Sequence, residues 1–314
     1  MIELVLTAES AKRVRFGISP LDETMGATQT LLGRRGHPSH LPWLREAAAK
    51  LPDLPIDGFA KVMSARHYIT DFLSPPPSGP ETTASAQLAE IRRTPPEQVA
   101  HELSKVDADL SGLPEDPAEA RDLLASQMEI AWTELVEPHW PRMRRFLVAD
   151  IEERSRRLAT GGIALVLEDI HPRVRLVDDI LVIEMKERGR VHLDRRGLLL
   201  IPGVFAWPSV GLITMEPWQP SLLYPARGVA ELWSDAERPP DALAGVLGRT
   251  KAALLTTLNE PASTTELARR LDLSAPTVSR HLTAMRAAGL LDTRRRGREV
   301  RYLRTELGDA LIRA

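Results

Sequence analysis

Side chains able to contact nucleic acid are concentrated in one short stretch near the end of the sequence. Val278, Leu282 and Met285 are spaced i, i+4 and i+7, which predicts a helix with one buried face. A helix in the major groove presents its first turns to base edges, where an arginine pairs with guanine through two hydrogen bonds. We therefore predict that Arg280 reads a base and that its neighbours contact phosphate or bases. The residues predicted to contact DNA from this helix are Ser274, Ala275, Pro276, Thr277, Ser279 and Arg280.

A basic turn follows this helix. Two strand-like runs, 290–293 and 300–303, flank the sequence RRRGRE at 294–299, whose glycine suits the positive φ of a hairpin turn. This pattern predicts a wing in which Arg295, Arg296 and Arg298 contact the DNA backbone or the adjacent minor groove. The alternative is a solvated turn in an arginine-rich protein, since only six of the 41 basic residues are lysines.

Two helices joined by a short turn are predicted to position these side chains. Residues 263–266 (STTE) have the pattern of a capping box, in which the Ser263 hydroxyl accepts from the N–H of Glu266 and the Glu266 carboxylate accepts from the N–H of Ser263. Ser274 caps the next helix, and an amphipathic helix over 242–258 precedes both. Helix, turn, helix and basic hairpin in this order predict a winged helix-turn-helix.

The same stretch resembles the arsenic-repressor (ArsR) type of winged-helix transcriptional regulator. The resemblance is carried by TELA at 265–268, LSAPTVSRHL at 273–282, AGLL at 288–291 and RGREVRY at 296–302. Near the beginning, RFGISPL at 15–21 resembles a domain of unknown function found ahead of such modules in actinobacterial regulators. Metal-sensing members of the ArsR group use cysteine thiolates or His/Asp sets. This sequence has no cysteine and no histidine after Tyr302, so we predict no metal site and no cofactor.

The charge is distributed unevenly along the chain. From Arg249 onward there are 13 basic and 7 acidic residues, whereas the preceding 248 residues carry 28 and 36. A basic segment after an acidic body is expected when only one end meets phosphate. The absence of cysteine excludes disulfides and thiol nucleophiles. Without a signal-peptide pattern or a bilayer-length apolar stretch, the sequence predicts a cytoplasmic protein with no membrane span.

The predicted fold class is α+β, with a large N-terminal helical domain that carries a small antiparallel β-sheet, followed by a C-terminal winged helix-turn-helix domain. The domains are predicted at 1–235 (helical over 1–170, β-rich over 175–233) and 241–314, with a linker at 236–240. A strand at 2–6 and a helix capped by Ser19 begin the chain. Further helices are predicted at 41–51, 56–72, 84–91, 96–106, 117–137 and 141–159, and strands at 180–186, 190–193, 198–205, 211–215 and 222–224.

These patterns predict a homodimeric repressor that binds a roughly palindromic double-stranded DNA operator. The size of the N-terminal domain suggests dimerisation or the sensing of a small-molecule effector. No phosphate-binding glycine-rich loop or nucleophile elbow is present, so we do not expect an enzyme. Two alternatives stay open: an enzyme with an appended autoregulatory winged helix, and a protein-interaction scaffold.

Overall fold

The chain forms two compact units. A computed structural model describes residues 1–233, 241–258, 261–271, 273–296 and 299–313. Unit 1 spans Met1–Trp233 and unit 2 spans Ser234–Ala314. The predicted linker at 236–240 lies outside the described residues.

Unit 1 combines helices with two small sheets. Its helices are α1 (Ala8–Ala11), α2 (Pro20–Leu31), α3 (Leu41–Lys50), α4 (Asp57–Met63), α5 (Ala84–Arg93), α6 (Pro96–Leu103), α7 (Pro117–Ala131), α8 (Trp140–Leu167) and α9 (Val229–Leu232). Its strands are β1 (Ile2–Val5), β2 (Val14–Phe16), β3 (Val174–Val177), β4 (Ile180–Ile183), β5 (Gly189–His192), β6 (Leu198–Gly203), β7 (Gly211–Ile213) and β8 (Ser221–Pro225). Helix α8 is interrupted at Gly162, whose φ is 67°.

Unit 2 contains the remaining elements. They are α10 (Asp241–Leu247), α11 (Arg249–Thr257), β9 (Ala262–Ser263), α12 (Thr264–Arg270), α13 (Ala275–Ala287), β10 (Leu291–Arg296), β11 (Glu299–Arg304) and α14 (Glu306–Arg313). The three strands form one sheet in the order β10-β11-β9. The fold class is α+β, with a large helical region that carries small sheets and a C-terminal helix-turn-helix, as predicted.

The prediction of one antiparallel sheet in unit 1 is wrong in the number of sheets and in the direction of their strands. Unit 1 has two four-stranded sheets, in the orders β3-β4-β1-β5 and β2-β6-β8-β7, and both are mixed. Strand β1 is antiparallel to β4 but parallel to β5, and β6 is parallel to both β2 and β8. The difference arises because β1 and β2, from the beginning of the chain, pair with strands far away in sequence. All six residues of β6 are buried, which is typical of a central strand covered on both faces.

Helix α2 lies in the core of unit 1. It begins as predicted, with the Ser19 hydroxyl accepting from the N–H of Asp22 at 3.0 Å and Pro20 in the first turn. Every residue from Pro20 to Thr30 is buried. The buried hydroxyl of Thr24 donates to the carbonyl oxygen of Pro20 at 2.9 Å, so this polar group is satisfied within the helix.

One carboxylate of α2 links the helix to the segment after β6. The Glu23 carboxylate accepts from the N–H groups of Val204 and Phe205 at 2.6 and 3.1 Å. Burial raises the pKa of Glu23 to about 8, and the neighbouring Asp22 carboxylate acts in the same direction, while the two N–H groups oppose it. Glu23 is therefore a buried group whose protonation depends on pH near neutrality.

This raised pKa gives a testable dependence of stability on pH. Stability from the protonated carboxyl is fully present below the unfolded pKa of 4.5 and is lost as pH rises through the folded pKa of about 8. We expect Glu23→Gln, which stays uncharged, to lose less unfolding free energy than the wild type between about pH 5 and pH 8. Urea unfolding of both proteins across this range measures the difference. Equal losses in the two proteins would contradict the assignment.

A buried ionic cluster joins α8 to β8. The Asp150 Oδ2 atom accepts from the Arg154 Nε–H at 3.0 Å and from the Tyr224 hydroxyl at 2.9 Å. The guanidinium of Arg154 also donates to the carbonyl oxygen of Val166 at 3.0 Å and lies 4.6 Å from the centre of the Tyr224 ring. Asp150, Arg154 and Tyr224 are 8%, 1% and 0% exposed, so these hydrogen bonds replace contacts that the three side chains would otherwise make with water.

Candidate nucleic-acid interface

Helix α12 begins with the predicted capping box. The Ser263 hydroxyl accepts from the N–H of Glu266 at 3.3 Å, and the N–H of Ser263 donates to the Glu266 carboxylate at 2.8 Å. The hydrogen bond from the Ser263 N–H, aided by the charge of Arg301, lowers the pKa of Glu266. Leu267 and Ala268 of this helix are buried in the core of unit 2. The capping box therefore fixes the start of the helix that precedes the predicted DNA-reading helix.

Helix α13 has the predicted buried face. Val278, Leu282 and Met285 are 0%, 0% and 1% exposed and pack in the core of unit 2. Ser274 caps the helix, and its hydroxyl lies 2.8 Å from that of Thr277. Thr277 is half-buried, whereas the other residues predicted to contact DNA from this helix are exposed: Ser274, Ala275, Pro276, Ser279 and Arg280. The opening turns of α13 thus present hydroxyl groups and one guanidinium on the face opposite the core.

A glycine at the end of α13 directs the chain into the hairpin. Gly289 has a φ of 74°, and its N–H donates to the carbonyl oxygen of Arg286 at 3.0 Å. The N–H of Leu290 donates to the carbonyl oxygen of Met285, also at 3.0 Å. This pair of hydrogen bonds is a Schellman motif, which requires the left-handed conformation that glycine adopts without strain. Strand β10 therefore starts immediately after the helix.

Strands β10 and β11 form the predicted wing. They are antiparallel, with Leu291 opposite Arg304 at the base and Arg296 opposite Glu299 at the last described pair. The backbone of Arg295 and Arg296 belongs to β10. The predicted contact residue Arg298 lies outside the described residues, as do the side chains of Arg295 and Arg296.

Two arginines of β11 form hydrogen bonds and ion pairs within unit 2. Arg301 donates to the carbonyl oxygen of Pro261 at 3.2 Å and to the Glu266 carboxylate at 3.3 Å. Arg304 forms an ion pair with Asp309 at 2.7 Å. The base of the wing is also closed by β9, in which Ser263 pairs with Arg301. These two cations stabilise unit 2, although their positions in the sequence do not distinguish them from the wing arginines.

The predicted set omitted other exposed cations of unit 2. Arg294 lies in β10 and is exposed, as are Arg269 and Arg270 at the end of α12. Arg294 stands in the basic run that predicted the wing, so the sequence signal for it was present. The exposure of Arg269 and Arg270 follows from the helix face that Leu267 and Ala268 bury.

Neither a metal-binding cluster nor a membrane-spanning helix occurs in the described part of the chain. Within the ranges that the structure describes, no group of three or more His, Cys, Asp or Glu side chains is placed to hold a metal ion. No described helix combines the length and apolar character needed to cross a lipid bilayer.

Comparisons with known proteins give two family matches. Residues 246–294, from α10 to β10, match the model of a helix-turn-helix domain (HTH_20). Residues 110–230 match the model of a family of unknown function (DUF5937), which does not include the 15–21 stretch that carried the sequence resemblance. Neither the comparison with curated proteins nor that with solved structures gives a match. The chain thus carries a helix-turn-helix domain of the kind found in DNA-binding transcriptional regulators, behind a domain of unknown function.

Proposed function

We propose that the protein is a sequence-specific double-stranded DNA-binding transcriptional regulator of the ArsR type. In this proposal it acts in the cytoplasm as a homodimeric repressor, catalyses no reaction, and responds to a small-molecule effector bound by unit 1. The observation that supports DNA binding best is the orientation of α13. Its apolar residues lie in the core of unit 2, and its cap and first two turns expose Ser274, Ser279 and Arg280.

The dimensions and chemistry of α13 suit the major groove. A helix of 13 residues is about 20 Å long, and the major groove, about 12 Å wide, admits an α-helix. Arg280, on the second turn, has the fork of donors that pairs with the two acceptors of guanine. Ser274 and Thr277 stand at the start of the helix, where hydroxyl groups commonly contact phosphates and fix the register of the protein on the duplex.

The small reading surface of one DNA-binding domain supports the proposal of a dimer. A single small DNA-binding module buries about 600–1,000 Å² and reads only a few base pairs. Two copies related by a two-fold axis place two such helices in successive major grooves about one helical turn apart, which is why we propose a palindromic operator. Repression is the simplest outcome, since a protein bound over a promoter blocks access to it.

The proposed role of the wing predicts a change in salt dependence. We expect Arg295→Ala/Arg296→Ala to weaken binding to all duplexes and to reduce the slope of log affinity against log salt by about 2, because two phosphate contacts are lost. Fluorescence anisotropy at several salt concentrations measures this slope on the region upstream of the protein's own coding sequence and on a scrambled duplex.

A matched control for this test is Arg92→Ala/Arg93→Ala, which removes two adjacent arginines from α5 in unit 1. The control should bind both duplexes as the wild type does. If the wild-type protein bound neither duplex, or bound the upstream region no better than the scrambled one, the proposed function would be wrong.

A further inference from the structure

A cationic groove lies on the surface of unit 1. It has a volume of about 490 Å³, within the range of roughly 300–1,000 Å³ that small-molecule sites occupy. We call it the basic groove and define it by its lining residues, which are Lys12, Arg13, Val14, Arg15, Arg195, Arg196 and Gln219.

The groove is built where two distant segments of the chain run side by side. Strands β2 and β6 are parallel, with Val14 opposite Leu198, so residues 12–15 lie beside the turn at 194–197. Gly197 in this turn has a φ of 71°, and a Cβ atom there would lie 2.3 Å from the carbonyl oxygen of Arg13. Only glycine fits at this position without displacing the backbone, so Gly197 allows the two cationic segments to approach closely.

A hydrogen-bond network orients the arginine side chains of the basic groove without a ligand. The Arg196 Nε–H donates to both oxygens of Asp194, at 3.1 and 3.0 Å, and the guanidinium donates to the carbonyl oxygen of Trp218 at 2.9 Å. The Gln219 amide donates to the carbonyl oxygen of Arg196 at 2.7 Å and accepts from Arg15. Gln219 thus bridges the two segments and fixes Arg15 relative to Arg196. Such pre-organisation lowers the entropic cost of binding.

Positive charge in the groove exceeds the negative charge around it. Among the ion pairs of the described residues, Arg13 pairs with Glu9, and Arg196 pairs with Asp194 and Glu216. Lys12 and Arg195 are exposed and have no ion-pair partner within the described part of the chain. Five cations therefore face three carboxylates, and the like-charged groups repel one another unless an anion binds between them.

The surroundings favour a small anion over DNA. The first 248 residues carry 28 basic and 36 acidic residues, so the groove is a local cationic site in an acidic body. An acidic surface repels the phosphates of a long duplex, which extend well beyond a groove of this volume, whereas a small ligand meets only the groove itself. Arginine forks match the oxygen geometry of phosphate, and hydrogen bonds orient two of the groove's arginines, Arg15 and Arg196.

We propose that the basic groove binds a small phosphate-bearing ligand, with Lys12 and Arg195 supplying charge and Arg15 and Arg196 supplying oriented donors. The role of this ligand as the effector of a regulator rests on the proposed function, whereas the binding site itself does not. Because binding is measured without DNA, failure of the site and failure of the proposed function give different results.

Isothermal titration of the full chain with inorganic pyrophosphate, at constant ionic strength set with sodium chloride, tests the proposal. We expect saturable binding to the wild type and affinity weaker by about tenfold or more in Lys12→Ala/Arg195→Ala. Both side chains are exposed, so their removal should leave the fold intact. The matched control is Lys186→Ala/Arg188→Ala, which removes one exposed lysine and one exposed arginine outside the groove and should bind as the wild type does.

Four results would overturn the proposal. One is the absence of saturable binding to the wild type, and another is equal affinity in the two double variants. The third is tighter binding of citrate than of pyrophosphate, which would indicate a polycarboxylate ligand. The fourth is loss of duplex affinity in Lys12→Ala/Arg195→Ala with pyrophosphate binding unchanged, which would indicate a DNA contact. Pyrophosphate binding by a chain that binds no operator would leave the site standing and remove the proposed function.

Discussion

Replacing Arg280 with alanine is expected to weaken binding to the operator by about 1–3 kcal/mol, or roughly five- to 150-fold, and to relax the preference for one base pair. The side chain is exposed on the second turn of α13, so the substitution should leave the core of unit 2 unchanged. Binding to a scrambled duplex should change much less, because base contacts supply specificity and phosphate contacts do not. Anisotropy titrations with both duplexes measure the two effects.

Arg286 offers a matched control for this prediction. It is an exposed arginine on the last turn of the same helix, away from the end proposed to enter the major groove. Arg286→Ala should therefore lose less affinity for the operator than Arg280→Ala does, and its melting temperature should equal that of the wild type. If Arg280→Ala lost the same affinity for both duplexes, the residue would be a phosphate contact, and the base-reading assignment would be wrong.

Replacing Asp150 with alanine is expected to lower the free energy of unfolding of unit 1 by about 3–5 kcal/mol. The substitution removes the carboxylate nearest to the buried guanidinium of Arg154, which keeps a longer ion pair with Asp169 at 3.7 Å, and it removes the acceptor of the Tyr224 hydroxyl. A buried charge that loses its partner costs more than the pair contributed. Urea unfolding followed by circular dichroism measures the loss.

The double variant Asp150→Leu/Arg154→Met separates this cause from a simple loss of packing. Because it removes both charges, it should recover most of the stability that Asp150→Ala loses. A loss in the single variant of less than about 1 kcal/mol, or a double variant as unstable as the single one, would show that the charges are not coupled as the geometry indicates.

The winged helix-turn-helix could be predicted because its signals are local. The capping box at Ser263, the Ser274 cap and the spacing of Val278, Leu282 and Met285 all involve residues within one or two turns of each other. One error in this region has a local cause as well. The single helix predicted over 242–258 is divided into α10 and α11 by Gly248, whose φ of 79° ends the first helix while the apolar spacing continues across it.

Unit 1 was predicted less well because its structure depends on distant contacts. The helix predicted over 56–72 ends at Met63, since the N–H groups of Arg66 and His67 donate to the Asp107 carboxylate instead of continuing the helix. The pairing of β1 with β4 and β5 joins residues about 180 positions apart, and the apolar pattern of a short strand contains no information about its partner.

The two candidate sites also differ in how far the sequence could predict them. The exposed face of α13 follows from helical periodicity, so its exposed residues could be identified from the sequence alone. The basic groove could not, because Lys12 and Arg195 come together only through the parallel pairing of β2 and β6. Its cations were indistinguishable in the sequence from the many other arginines of the chain.

The attachment of β11 at its base has a consequence for how the wing can change. Since β9 and the contacts of Arg301 hold the lower part of the hairpin against α12, the base of the wing is anchored to the unit that also positions α13. Lengthening or shortening the hairpin beyond this anchored base should therefore change how far the wing extends without rotating α13.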